Sequence, residues 1–391
     1  MVITKVEALY CDAGWRPWTF VKISTDEGLV GWSECSDSHG SPRGLEGVIK
    51  DLSSLLVGQD PRLVEKLYWL MYSRTRQSPG SIIQKAIGGI ENALLDIKAK
   101  ALSVPVYELF GGPVRETIPL YWSHFATSRV RDAAAIGKPQ MQSLSELKEL
   151  IKEVKSSGFK VIKPKVAFFG EKPEIYMAGF AKSDGWPELN VDNYKLKAID
   201  KWASALRDAA GDDIDIILDL NFNFKTEGFI KIGRMLEKYN LMWLELDSYD
   251  PGALRLIRDS VKIPIASGED LYGARQYRPY LERHAMDIVI SNPTWNGFIR
   301  AKEIAALAEL QEMNFAPHNH NGHLATFISA QLSAVIPNLR IMELDVEDVP
   351  WRDEVVTNVP KIINGQMELP KGPGWGTEIN EKALKQHPWP K

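Results

Sequence analysis

The chain has 391 residues, 44% hydrophobic and 25% charged, with a formal net charge of −4, a globular composition long enough for one barrel with additions or for two to three domains. That balance offers no basic face for nucleic acid or for an anionic membrane surface. Two cysteines, Cys11 and Cys35, make neither a disulfide framework nor a cysteine zinc site, and they fit the reducing cytoplasm.

Residues 2–11 and 19–25 alternate apolar and polar, which predicts paired strands and not a leader peptide. Between them, Asp12-Ala13-Gly14-Trp15-Arg16-Pro17-Trp18 reads as a loop too rich in tryptophan for simple exposure. A second polar loop spans residues 36–44. Helical spacing follows at 45–57, 61–77 and 81–102; in the last, Ala86, Ile90, Ala93, Leu94, Ile97 and Ala101 share one face. Pro105 and Gly111-Gly112-Pro113 mark its exit. Residues 1–117 therefore read as a small α+β unit.

From Thr117 strands and helices alternate. Strands are expected near 118–123, 159–165, 214–219, 242–245, 263–268, 286–291, 314–318 and 340–343, and helices near 144–156, 193–210, 225–238, 251–261, 272–283, 297–312 and 323–335. Eight strands and seven helices predict an α/β fold over 118–344, a (β/α)7β barrel that modifies the TIM barrel by losing its last helix. Residues 168–193 read as a long irregular connection. The apolar stretch 324–336 is too short to cross a bilayer. Residues 345–391 are loop-like and expected to pack back on the N-terminal unit, completing an α+β capping domain.

Three apolar runs each end in a carboxylate: Asp219, Glu245 and Glu269, spaced 26 and 24 residues apart. Parallel barrel strands end at one rim, so the three acids converge there. Such acids repel, and three hard oxygen ligands without Cys or His suit Mg²⁺. Lys163 and Lys165 are two apart on the second barrel strand and share a face. Crowding lowers the pKa of each, which is how a lysine becomes a base near neutral pH. The seventh strand ends in Pro317-His318-Asn319-His320-Asn321-Gly322-His323. A zinc site would need further histidines, and of His39, His124, His284 and His387 only His124 lies near a strand end. The alternative is that His318 is an acid or base at the rim. Asn292 ends the sixth strand, Asn296 follows it, Glu343 ends the eighth, and Asn221 shares a face with Asp219.

The ordered set Lys163-x-Lys165, Asp219-x-Asn221, Trp243-Leu244-Glu245, Gly268-Glu269, Pro317-His318 and Glu343, with the helix Ala86–Lys100 and Gly111-Gly112, resembles the mandelate racemase subgroup of the enolase superfamily over essentially the whole chain. The resemblance implies Asp219, Glu245 and Glu269 as ligands of one Mg²⁺ per subunit. It also implies Lys165 as base, Lys163 as its carboxylate-neutralising neighbour, His318 as acid or base on the opposite face, and Glu343 as a hydrogen-bonding partner of the substrate carboxylate. Loops 12–18 and 36–44 would choose the substrate, with Trp15, Arg16, His39, His124, Asn221, Asn296, His320 and Asn321 as polar contacts. A homo-oligomer acting on a small carboxylate is expected.

Two positions depart from the family pattern. Glu245-Leu246-Asp247 stands where Glu-Glu-Pro is usual, and Asn292 stands where the partner of the histidine is an Asp. The shared chemistry is removal of the proton α to a carboxylate through an enediolate. A histidine without its Asp favours a sugar-acid dehydratase. A racemase, epimerase or cycloisomerase is the alternative, and a non-catalytic sugar-acid binder is a third.

Overall fold

The structure, a computed structural model, describes residues 1–37, 40–178 and 188–389. The chain opens with an antiparallel sheet of β1 (Ile3–Asp12), β2 (Pro17–Thr25) and β3 (Val30–Glu34). Pairing of Asp12 with Pro17 turns the tryptophan-rich segment into a tight hairpin rather than an open loop, with Gly14 in the left-handed region at φ 75°. Helices α1 (Pro42–Leu56), α2 (Val64–Thr75) and α3 (Ser81–Ala101) follow. Ser41 starts α1 by accepting the Gly44 N–H at 3.1 Å, and Pro42 takes the first helical position.

The second unit runs β4 (Thr117–Ser123), α4 (Thr127–Arg131), α5 (Leu147–Ser156), β5 (Val161–Lys163), β6 (Ala167–Phe169), β7 (Pro173–Ile175), α6 (Asn193–Ala210), β8 (Asp215–Asn221), α7 (Thr226–Leu236), β9 (Trp243–Leu246), α8 (Pro251–Ser260), β10 (Ile265–Ser267), α9 (Gly273–Glu282), β11 (Ile288–Ser291), α10 (Pro293–Asn296), α11 (Phe298–Glu309), β12 (Asn314–Pro317), α12 (His323–Val335) and β13 (Met342–Asp345). Strands β4, β5, β8, β9, β10, β11 and β12 pair in parallel in that order, and β13 pairs in parallel with β4. The N–H of Phe315 donates to the Asn338 carbonyl and that of Arg340 to the Phe315 carbonyl, which closes the ring. This is the expected (β/α)7β barrel with its cap. Tyr121, Val161, Ile217, Trp243, Ala266, Ile288, Ile290, Ala316 and Ile341 plug its interior.

Part of the connection read as irregular, 168–193, is an antiparallel hairpin of β6 and β7, pinned by Phe168 stacked on Tyr176 at 4.9 Å. The tail divides between the two units. A hairpin of β14 (Ile362–Ile363) and β15 (Gln366–Glu368) pairs with the first barrel strand, β4. The short α13 (Glu381–Gln386) lies against β1. Among the described residues no helix is long and apolar enough to cross a membrane; the apolar stretch 324–336 is the wholly buried helix α12.

Helix α3 joins cap to barrel. Asn92 donates to the Pro293 carbonyl at 3.0 Å and accepts the Phe298 N–H at 2.8 Å. Glu91 accepts the Ile299 N–H at 2.8 Å. A Cβ on Gly88 would stand 2.5 Å from the Trp295 carbonyl oxygen and 2.7 Å from the Gly297 nitrogen. Those atoms are backbone and cannot swing away. Gly88→Ala should therefore destabilise the protein by roughly 1–3 kcal/mol, as overpacked cores do, read as a lower urea midpoint at unchanged slope; an unchanged midpoint would refute this packing.

Burial pushes the Glu91 carboxyl up to about 8, against the opposing pull of Arg300. The folded state thus holds a proton that the unfolded chain has lost above about pH 4.3. Folding stability from this residue is full below that pH and is lost as pH rises through about 8. Glu91→Gln should flatten the fall in melting temperature between pH 5 and 8.5, and an identical pH slope in the variant would contradict the assignment.

Candidate active site

The barrel strands deliver their last residues to one mouth beneath the cap, where a cavity of about 850 Å³ opens. Lys163, Lys165, Asp219, Asn221, Glu269, His318, His320, Glu343, His124 and Trp15 line it, so most of the expected set is brought together. Apart from Trp15, which stands on the hairpin between β1 and β2, each of these residues lies at or just beyond the end of a barrel strand whose earlier side chains fill the barrel.

Two buried ammonium groups organise the floor. Lys163 Nζ lies 2.7 Å from Glu245 Oε1 and 2.6 Å from Glu343 Oε1. Lys165 Nζ lies 2.6 Å from Asp219 Oδ2 and donates to Asn221 Oδ1 at 2.7 Å. Burial opposes the charge on Lys163, but Glu245 and Glu343 outweigh it and hold its pKa well above the ordinary value. The lowered pKa expected for Lys163 from crowding is therefore reversed, because two carboxylates lie closer to it than any other ammonium does. Asp219 is held below the usual carboxylate range, burial being overcome by Lys165 and Lys163. Glu343 is held far below it by Lys163, by His318 and by the Ser123 hydroxyl, which donates at 2.5 Å.

Glu245 does not line the cavity. Its Oε1 takes Lys163, its Oε2 accepts the Trp243 indole N–H at 3.2 Å, and burial raises its pKa to about 7. The carboxylates that crowd together are Asp247, Glu269 and Asp270, with oxygens within 4.8 Å of one another. Asp247 and Asp270 carried no role in the sequence reading, although one stands two residues after Glu245 and the other directly after Glu269. Burial, and then the other acids of the mouth, push Asp247 and Glu269 well above their ordinary values. Asp247 Oδ2 is buried without a hydrogen-bond partner. An all-oxygen donor set short of positive charge fits a hard divalent cation such as Mg²⁺.

Asn292 ends β11 and caps α10. Its Oδ1 accepts the Thr294 N–H at 2.8 Å, the Thr294 hydroxyl at 2.7 Å and the Trp295 N–H at 3.3 Å. Its Nδ2 faces His318 Nδ1 at 3.1 Å. His318 Nε2 lies 3.1 Å from His320 Nδ1 and 3.3 Å from Glu269 Oε2. Burial lowers the His318 pKa to about 4. His124 forms a second pair, its Nδ1 3.1 Å from Asp345 Oδ2. Burial, then Lys165 and Arg131, hold His124 well below its ordinary value.

Of the expected contacts, Arg16, Asn296 and Asn321 fall elsewhere. Arg16 is buried away from the cavity, where it donates to the His320 carbonyl at 2.7 Å and pairs with Asp348 at 2.8 Å. The hairpin turns it inward to tie the tail to the seventh-strand loop. Asn296 is wholly buried, donating to the Leu271 carbonyl and accepting the Gly273 N–H at 2.7 Å, so its amide is spent on the backbone. His39 lies outside the described residues. Asn321, also buried, is absent from the lining. The sequence reading missed Lys85 and Arg131, which line the cavity from α3 and α4. Lys85 Nζ pairs with Asp37 at 2.8 Å and sits 3.9 Å above the Trp295 ring. Helical spacing alone does not mark such a residue as facing a cavity.

Residues 146–383 match the family model described as enolase C-terminal domain-like, and residues 13–111 match the N-terminal domain of mandelate racemase / muconate lactonizing enzyme. A D-xylonate dehydratase of Haloferax volcanii is 30% identical over 98% of this chain and 88% of its own. A D-galactarolactone cycloisomerase of Agrobacterium fabrum is 28% identical over 96% of this chain and 92% of its own. A provisional L-alanine-DL-glutamate epimerase of Burkholderia xenovorans strain LB400, solved with magnesium and fumarate, is 43% identical, covers 99% of this chain and 96% of its own, and superposes with a TM-score of 0.96. With both family models and the barrel, cap and mouth in agreement, the chain belongs to the enolase superfamily, in its mandelate racemase and muconate lactonizing enzyme branch.

Proposed function

We propose that the protein is a Mg²⁺-dependent dehydratase of a sugar acid, an aldonate or aldarate, giving a 2-keto-3-deoxy product. The observation that carries this is the pairing at the mouth: Lys165 held by Asp219 near a cluster of three further carboxylates, and His318 with an amide, not a carboxylate, at its Nδ1. Named relatives that dehydrate D-xylonate, D-galactonate and D-gluconate support the substrate class.

Asp219, Glu245 and Glu269 would hold the cation, with Asp247 and Asp270 adding negative charge beside them. The bound cation supplies positive charge to the substrate carboxylate and to the enediolate that forms from it. Lys163, held as an ammonium between Glu245 and Glu343, is the fixed positive charge for the second carboxylate oxygen. Lys165 takes the α-proton at Nζ, and the electron pair of that C–H bond moves into the carboxylate. Asn221 orients Lys165 through its Oδ1. Lys165 then returns that proton to the β-hydroxyl, which leaves as water with the electron pair of its C–O bond, and the enol that remains becomes the 2-keto acid. His124, His320 and Trp15 stand along the remaining wall to receive the hydroxyl-bearing chain.

Epimerisation is the second reading, favoured by the provisional description of the Burkholderia relative. It needs a competent base on each face of the α-carbon.

Mg²⁺ should raise the melting temperature by binding the folded state alone, and Glu269→Gln should abolish the shift; an equal shift in the variant would remove Glu269 from the site. Lys165→Ala should lose both 2-keto product from a sugar-acid library and exchange of the substrate α-hydrogen with deuterium oxide, by roughly 10²-fold or more. Wild-type exchange in that variant would assign the base elsewhere.

A further inference from the structure

The amide of Asn292 has only one orientation that satisfies its surroundings. Two backbone N–H groups, of Thr294 and Trp295, point at Oδ1. Turning the amide over would aim its NH₂ at both; Trp295 N–H would keep the Asn292 carbonyl at 3.2 Å, but Thr294 N–H would lose its acceptor beside a wholly buried residue, at a cost of about 1–3 kcal/mol for a buried group left unsatisfied. Nδ2 therefore faces His318 Nδ1 as a donor, across 3.1 Å. The nitrogen that receives it must carry a lone pair. A ring with its proton on Nδ1, and an imidazolium with protons on both nitrogens, would each set two donors face to face.

We propose that Asn292 is a positioning residue that holds His318 as the neutral Nε2–H tautomer, so that His318 offers a hydrogen bond at the second face of the reacting carbon and moves no proton. The neighbours of Nε2 suit a donor there: His320 Nδ1 at 3.1 Å and Glu269 Oε2 at 3.3 Å. A proton arriving at Nε2 finds no lone pair, and the amide behind Nδ1 cannot take one onward. A carboxylate in the place of Asn292 would reverse this polarity, accepting Nδ1–H and freeing Nε2 as a base. Proton abstraction is thereby confined to the face that Lys165 serves, and inversion at the α-carbon is closed off. This consequence rests on the dehydratase reading; the tautomer does not.

The test is two-bond ¹H–¹⁵N correlation of the imidazole rings in Mg²⁺-loaded protein carrying ¹⁵N-histidine, with His318 identified as the signal missing from His318→Gln. The wild-type ring should show a protonated Nε2 and a bare Nδ1. In Asn292→Asp, whose second oxygen preserves the cap on α10, the pattern should invert to Nδ1–H. In deuterium oxide the wild type should exchange the α-hydrogen of one epimer of its substrate only, and Asn292→Asp should raise exchange of the other epimer by at least roughly tenfold. A wild-type His318 protonated on Nδ1, or comparable wild-type exchange of both epimers, would overturn the proposal. If no sugar acid is dehydrated, the functional reading fails while the ring spectrum still decides the tautomer.

Discussion

Charge balance at the barrel mouth is the constraint on which the rest of the structure depends. Asp219, Glu245, Asp247, Glu269, Asp270 and Glu343 meet there, the first three and Glu343 buried and Glu269 and Asp270 partly so, and Lys163 and Lys165 stand among them. Lys163 satisfies Glu245 and Glu343 and Lys165 satisfies Asp219, each within 2.7 Å. Among the described residues no ammonium pairs with Asp247 or Glu269, and burial with the neighbouring acids pushes both carboxyl groups well above their ordinary values. Buried like charges cannot all ionise together without a counter-charge. A divalent cation held by these oxygens would supply that counter-charge.

The cap is more than a cover for this mouth. Glu34, at the end of β3, accepts the N–H groups of Gly322 and Ala325 and so fixes the start of α12 just beyond the histidines. Gly88 and Asn92 of α3 press on α10, the single turn that Asn292 caps. Through Arg16 the first hairpin holds the carbonyl of His320. Three elements of the cap thus set the positions of the side chains on strands six and seven. A loosened seam would be felt first as misplaced rings, since hydrogen-bond geometry tolerates little displacement.

Much of this was legible in the chain. Barrel strands announce themselves because a strand buried on both faces is a continuous apolar run, and the acids that terminate such runs stand out against it. The residues that failed did so for one reason: polarity near the mouth does not say which way a side chain turns. Arg16 was taken for a substrate contact, yet hairpin pairing through Asp12 and Pro17 points it at Asp345 and Asp348. Asn296 was taken for another, yet α10 is one turn long and its last amide is consumed by the backbone around it. Asp247, marked only as a departure from the family pattern, and Asp270 carry no role in the sequence because only the fold shows that their oxygens converge on Glu269.

Two of the three histidines at the cavity, His124 and His318, show why the partner of a ring matters more than the ring. His124 has a carboxylate at Nδ1, from Asp345 at 3.1 Å, while His318 has an amide donor there at the same distance. Burial keeps both neutral near pH 7. A neutral ring has one donor and one acceptor nitrogen, so fixing Nδ1 fixes the other. His124 is left with Nε2 as an acceptor and His318 with Nε2 as a donor. One wall of the cavity thus receives a hydroxyl hydrogen and another gives a hydrogen to an oxygen. A polyhydroxylated carbon chain can use both, whereas an apolar α-substituent can use neither.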